Sequence, residues 1–253
     1  ISGGLSTDAV GVLSSVQVGA LTTAQVAVLG TYQIAAVSAV AIKGMQSAQI
    51  AVFSSDQLAA LTTLQVSNLS EVQIGALKAR VPSMYDWYNN NSALTGFETE
   101  DIAVLRSSQV GALRPEQIMW LSTDQIGAFS TSAVRGLSTG AVRALSSDQV
   151  SGLTTAQARA LISSQLEVLS TSSIWALSSE VIGVLGSAQL AGFGSRQFAA
   201  MGSEQISALS TAALSGVLPS ALTGLALGGG SGLRADQIKV LSSAQFDAIL
   251  TTV

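Results

Sequence analysis

The chain has 253 residues, a net charge of -4, and 48% hydrophobic against 10% charged residues. A composition this apolar excludes intrinsic disorder, and the acidic balance offers no basic field to nucleic acid. With neither Cys nor His present, disulfides, the usual zinc sites, haem ligation through His or Cys, and His-based catalysis are excluded too. A soluble monomer normally carries more surface charge than this. The shortage predicts a surface covered by neighbouring molecules, by the chain itself, or by uncharged Ser, Thr and Gln. The chain starts at Ile1 rather than Met, from which a removed N-terminal segment or a fragment is expected.

Along the first block, residues 1–77, large apolar side chains return every eighth position: Leu5, Leu13, Leu21, Leu29, Val37, Met45, Phe53, Leu61, Leu69 and Leu77. A second apolar site follows each by five residues, as at Val18, Val26, Ile34, Ile50 and Val66. The consensus is Leu-Ser/Thr-Ser/Thr-x-Gln-Val/Ile-x-Ala/Gly. A continuous helix turns about 100° per residue, so an eight-residue unit drifts about 80° and builds no stripe. Spacings of five and eight also mix odd and even positions, which a plain strand cannot hold on one face. The chain must therefore bend once per octad.

Four features predict a short helix in each octad. Ser/Thr at the second position and Gln three residues later form a capping box, as in Thr22 with Gln25 and Ser122 with Gln125. That alignment puts the two apolar sites just before the N-cap and at the fourth helical position, the pair that packs as a hydrophobic staple. Asp8, Asp56, Glu100, Glu116, Asp124, Asp148, Glu180, Glu204 and Asp236 fall at the second helical position. Lys43, Arg135, Arg143, Arg159 and Lys239 fall near the end of their units, so both signs suit the helix dipole. Pro115 and Pro219 land on the first helical position, where a missing N–H costs nothing. Helices this short are unstable alone and must stack. Small residues at the last position (Ala20, Ala36, Ala60, Gly152, Ala200, Gly224) are expected to let successive helices approach closely. The fold expected is all-α, a solenoid of very short helices, one per octad, with a β-solenoid as the alternative.

Residues 78–96 break the phase, because Leu77 to Phe97 is twenty residues. This insertion carries Tyr85, Trp87 and Tyr88, followed by Asn89, Asn90 and Asn91. Tyr, Trp and Asn together suit a contact surface for protein or sugar, or else a loop packed on the solenoid. A second octad block, 97–253, follows. Its Gly228–Gly232 stretch keeps phase and reads as a degenerate, flexible unit. The uncharged run from Ile206 to Leu233 is interrupted by Ser, Thr, Pro219 and the glycines, which argues against a membrane span.

The chain is not expected to be an enzyme. A nucleophilic serine needs a base, and Lys43, Lys78 and Lys239 sit in no Ser-Lys spacing. Nine carboxylates share one capping position, so a dipole role accounts for them better than acid–base work. The glycine run lacks the Gly-Lys-Ser/Thr of a phosphate loop and the Asp of a calcium repeat. No cofactor and no metal are expected.

The octads LTTAQVAV, LSTDQIGA and LSSDQVSG resemble repeat tracts of large secreted surface or adhesion-type proteins of Gram-negative bacteria. The resemblance implies an extracellular, surface-associated bacterial product. The function expected is a structural subunit of a self-assembling extracellular filament or surface sheath. The repeat runs from Leu5 to Val253 without a charged cap, and matching apolar ends would meet head to tail. Its partners would be copies of itself, with host or cell-surface glycans or proteins as further candidates, and neither nucleic acid nor a membrane span. The alternative is a stalk or ligand-binding module of a secreted adhesin.

Overall fold

The computed structural model describes residues 4–77, 96–227 and 232–250, with the side chains of 226 and 227 left aside. Among the described residues there are 26 α-helices, one 3₁₀ helix (Ala41–Gly44) and no strand. The fold is all-α, and the β-solenoid alternative finds no support. Apart from Pro219–Leu227 and Ser243–Leu250, each helix has only four to six residues and one octad supplies it.

The capping box makes each helix start where it does. Thr22 Oγ1 accepts the Gln25 N–H at 3.2 Å, and Gln25 Oε1 accepts the Thr22 N–H at 2.8 Å. Ser122 and Gln125 repeat the exchange at 3.1 and 2.8 Å. Two donors that the helix itself cannot satisfy are thereby paired. Each helix stops because the next Leu and Ser/Thr take extended backbone, as at Leu69 (φ -61, ψ 139) and Ser70 (φ -76, ψ 162). Asp8, Asp56, Glu116, Asp124, Asp148, Glu180, Glu204 and Asp236 stand in first turns. Lys43, Arg135, Arg143, Arg159 and Lys239 stand in last turns. Pro115 and Pro219 open their helices.

What joins the helices is the other end of the same glutamine. Gln57 Nε2 donates to the carbonyls of Val26 at 3.0 Å and Leu29 at 2.8 Å, 31 and 28 residues earlier. Gln73 does the same to Ile42 and Met45 at 2.9 and 2.7 Å, Gln189 to Ala158 and Leu161 at 2.8 Å each, and Gln245 to Leu214 and Val217 at 3.0 and 2.7 Å. A step of 28 to 31 residues is more than three octads and fewer than four, which sets the length of one coil. Helices pack on those three octads away, for example Ser107–Gly111 on Thr131–Gly136 and Ser195–Ala199 on Pro219–Leu227. The apolar sites fill the interior: Ile34, Leu58, Val66 and Leu69 are fully buried, as are Ile174, Ile182, Leu190 and Phe198. Most of the glutamines are buried with them.

The chain forms two compact units, Ile1–Leu137 and Ser138–Val253. In the first, the coil register survives the 78–96 insertion. Gln109 reaches Val66 and Leu69, and Gln117 reaches Ile74 and Leu77, at separations of 43 and 40 residues. Both exceed the usual 31 and 28 by twelve, the excess of the twenty-residue step from Leu77 to Phe97 over one octad. In the second unit, Gln237 reaches Ile206 and Leu209 at the ordinary 31 and 28. The glycine-rich stretch thus adds nothing to its coil; residues 228–231 themselves lie outside the description. The run from Ile206 to Leu233 is divided among separate helices. Among the described residues no helix is long and apolar enough to cross a membrane.

The close approach expected at small last-position residues occurs against a helix three octads back. Gly44 and Gly224 lie so close to the carbonyls of Ser15 and Ser195, three octads back, that a Cβ would overlap them. Val12 and Val28 occupy the same repeat position and stand exposed. Only some helix crossings demand a small residue there.

One octad replaces the glutamine with an acid. Asp101 is 4% exposed and accepts the Glu98 N–H at 3.2 Å, keeping the cap. By the register of Gln109, an amide at this position would meet the carbonyls of Leu58 and Leu61, to which a carboxylate has nothing to donate. Burial raises the Asp101 pKa above its ordinary value, opposed by the Glu98 N–H and reinforced by the charges of Glu98 and Glu100. Its contribution to stability is complete below the ordinary aspartate range and is lost as pH rises through the raised pKa.

Two predictions follow from the ladder. Ser54→Ala removes half of one cap, an expected loss of about 0.5–2 kcal/mol. Gln57→Leu removes a cap acceptor and the amide shared by two carbonyls, where each buried group left unpaired costs about 1–3 kcal/mol. Urea melts should place Gln57→Leu below Ser54→Ala, and the reverse order would mean that the amide does not hold the coils. Asp101→Gln should raise the melting temperature at neutral pH. Its advantage should narrow as the solution is acidified, and a gap independent of pH would contradict the buried-carboxylate account.

Candidate binding groove

In most octads the N-cap is Ser or Thr, whose hydroxyl caps its own helix. Gly186, Gly194 and Gly202 replace it in three octads running. Each keeps the glutamine half of the cap: the N–H groups of Gly186, Gly194 and Gly202 donate to Oε1 of Gln189, Gln197 and Gln205 at 3.0, 2.9 and 2.9 Å. A Gly N-cap costs only a few tenths of a kcal/mol relative to Ser. The substitution therefore leaves the fold almost untouched while removing side chains from the surface.

Two grooves follow along the seam between successive coils, one octad apart. The first, about 670 Å³, has Glu167, Ser170, Thr171, Phe193, Gly194 and Arg196 among its walls. The second, about 500 Å³, is walled by Trp175, Ser178, Ser179, Glu180, Gly202 and Glu204, with Leu177, Ser203 and Gln205 completing it. Trp175 is 68% exposed. A Cβ added at Gly202 would come 3.3 Å from the indole Cζ3 and 3.7 Å from Cη2, so the ring lies against the glycine. Beneath it, Gln205 Nε2 donates to Ile174 at 2.8 Å and Leu177 at 2.6 Å, and reaches the Trp175 carbonyl at 3.4 Å. The backbone on both sides of the indole is thus tied to the next coil. Glu180 is held below its ordinary pKa by its own backbone N–H and by the Ser178 hydroxyl, which keeps it an ionised acceptor.

A family model described as the ALTTAQ repeat matches residues 3–31, 26–63, 42–79, 94–131, 131–163 and 182–211. The chain belongs to the ALTTAQ repeat family. The ALTTAQ matches stop at 79 and resume at 94, on either side of the heart of the insertion. They also skip 164–181, the segment that brings Trp175 to the seam. Comparison with curated proteins returns no match.

The contact residues expected from the sequence, Tyr85, Trp87, Tyr88, Asn89, Asn90 and Asn91, lie outside the described residues. The sequence reading passed over Trp175 and the three glycine caps. A signal was available. The position of Trp175 is held by Gly183, Ala191, Ala199 and Ser207 in the next four octads, and Ser or Thr is the repeat's choice where the glycines stand. Among the described residues no group of three or more Asp and Glu is arranged to hold a metal ion.

At Gly194 a new Cβ would meet nothing within 4 Å. Gly194→Ser should therefore restore the missing cap hydroxyl and stabilise the chain by a few tenths of a kcal/mol. A drop in melting temperature would show that the groove has no room for the side chain.

Proposed function

We propose that the chain is a structural subunit of an extracellular bacterial filament or surface sheath, without catalytic activity of its own. The observation that carries the reading is the glutamine ladder. One edge of a coil offers backbone carbonyls and the other offers glutamine amides, and this chemistry recurs at coil after coil. A coil from a second copy would meet the same donors and acceptors as the next coil of the same chain. Interfaces that repeat without closing generate fibres. The serines and carboxylates that might serve chemistry are largely engaged in caps and first turns.

The surface supports lateral contact as well. Val12, Tyr32, Val40, Leu64 and Val72 are exposed in a stretch where only Lys43, Asp56 and Glu71 carry charge after Asp8. Val12, Val40 and Val72 are spaced by 28 and 32 residues, close to one coil each, which places them on successive coils. Exposed apolar side chains recurring along a nearly uncharged stretch suit contact with other copies. The extracellular setting rests on the resemblance of the octads to repeat tracts of secreted surface proteins. The stalk of an adhesin would use the same mechanics without assembly.

Light scattering across a concentration series should show polymerisation, and negative-stain electron microscopy should show filaments or sheets. A chain that stays a monodisperse monomer at high concentration would refute the subunit reading.

A further inference from the structure

We infer that the groove carrying Trp175 is a binding site for a neutral saccharide, a role beyond the mechanical one. Among the described residues only Tyr32 and Trp175 keep an aromatic side chain more than half exposed. Tyr32 stands on the surface of its own helix, whereas Trp175 forms one wall of a concave site of about 500 Å³.

The site combines three things that a sugar ring requires. The first is a fixed aromatic face. The indole is flanked by the Ile174 and Leu177 carbonyls that Gln205 ties down, and it lies against Gly202 where a side chain would displace it. The π face of Trp carries partial negative charge, which attracts the polarised C–H groups on one face of a pyranose. The second is a small set of polar groups lining the same open cleft. Glu180 and Glu204 accept hydrogen bonds from sugar hydroxyls, and the hydroxyls of Ser179 and Ser203 can donate or accept. The third is charge. Both ionisable groups on this groove are carboxylates, so an acidic glycan is repelled and a neutral one is not. The adjoining groove of about 670 Å³, one octad along the same seam, gives a chain of several sugar units somewhere to continue.

The test uses the full chain and three neutral probes, the hexaoses of β-1,4-glucose, α-1,4-glucose and β-1,4-N-acetylglucosamine, with polygalacturonate as the acidic comparison. Calorimetry and tryptophan fluorescence should show binding of at least one hexaose and not of polygalacturonate. Trp175→Ala should weaken binding by about tenfold or more, and Trp175→Phe by less. Gly202→Val should weaken it by crowding the indole, while Tyr32→Ala, an exposed aromatic outside this groove, should leave it unchanged. Melting curves and light scattering on the two Trp175 variants should match the parent chain, since the indole is exposed and its loss touches neither caps nor ladder. The inference is overturned if none of the three hexaoses binds, if Trp175→Ala binds as well as the parent, or if polygalacturonate binds more tightly. It is overturned equally if Trp175→Ala abolishes assembly while saccharide binding stays intact, because the indole would then be a contact between copies.

Discussion

A glutamine amide holds two neighbours at once in this fold. Its oxygen accepts from the N-cap backbone of its own octad, and its nitrogen donates to carbonyls of the coil before. Gln65 shows both ends, with Oε1 2.7 Å from the Thr62 nitrogen and Nε2 2.9 Å from the Ile34 oxygen. Neither a helix of five residues nor a bare coil edge would stand alone. Nucleating so short a helix is unfavourable, and an unpaired carbonyl in the interior costs about 1–3 kcal/mol. One side chain removes both difficulties, because the Gln amide carries an acceptor and a donor together at the end of one buried side chain. Glu or Asp supplies only acceptors once ionised.

That dependence accounts for what the fold tolerates. The ladder links residues through the coil axis, so a segment can leave one coil and return without disturbing the next, provided that the octads on either side stay in register. Twelve extra residues between Leu77 and Phe97 lengthen the glutamine contacts in sequence and leave Gln109 and Gln117 paired as elsewhere. Low charge follows as well. Caps, carbonyls and amides satisfy one another internally, and the surface left over is largely Ser, Thr and Ala. Asp101 stands out against this background as a buried acid among acids, where the same cap is made and the link to the previous coil is not.

The helical octad was legible from sequence because its evidence is local. Capping boxes, the proline positions at 115 and 219, and the sorting of acids and bases along each unit all act within eight residues. The length of a coil was not legible, since it depends on how successive bends accumulate, and no single octad records that angle. The second duty of glutamine was hidden for the same reason: its partners lie 28 and 31 residues away, and its cap alone already explained its recurrence. Close approach at small last-position residues was legible, but which octads require it was not. Gly44 and Gly224 sit at tight crossings, whereas Val12 and Val28 face outward.

Function in a repeat of this kind has to be sought where the repeat is broken without cost to the fold. Three successive glycine caps retain their backbone-to-glutamine bonds and forgo only the hydroxyl, a change of a few tenths of a kcal/mol each. Trp175 adds an aromatic ring at a position that holds Gly, Ala or Ser in the next four octads and charged or small residues in most of the others. Neither departure improves a cap, a core contact or the ladder. An indole left 68% exposed gains little from burial, so stability gives little reason for it. Side chains absent from the seam and a ring held beside the gap make sense together as a surface shaped for something outside the octad, and the rigidity of the ladder beneath Gln205 keeps that surface in place.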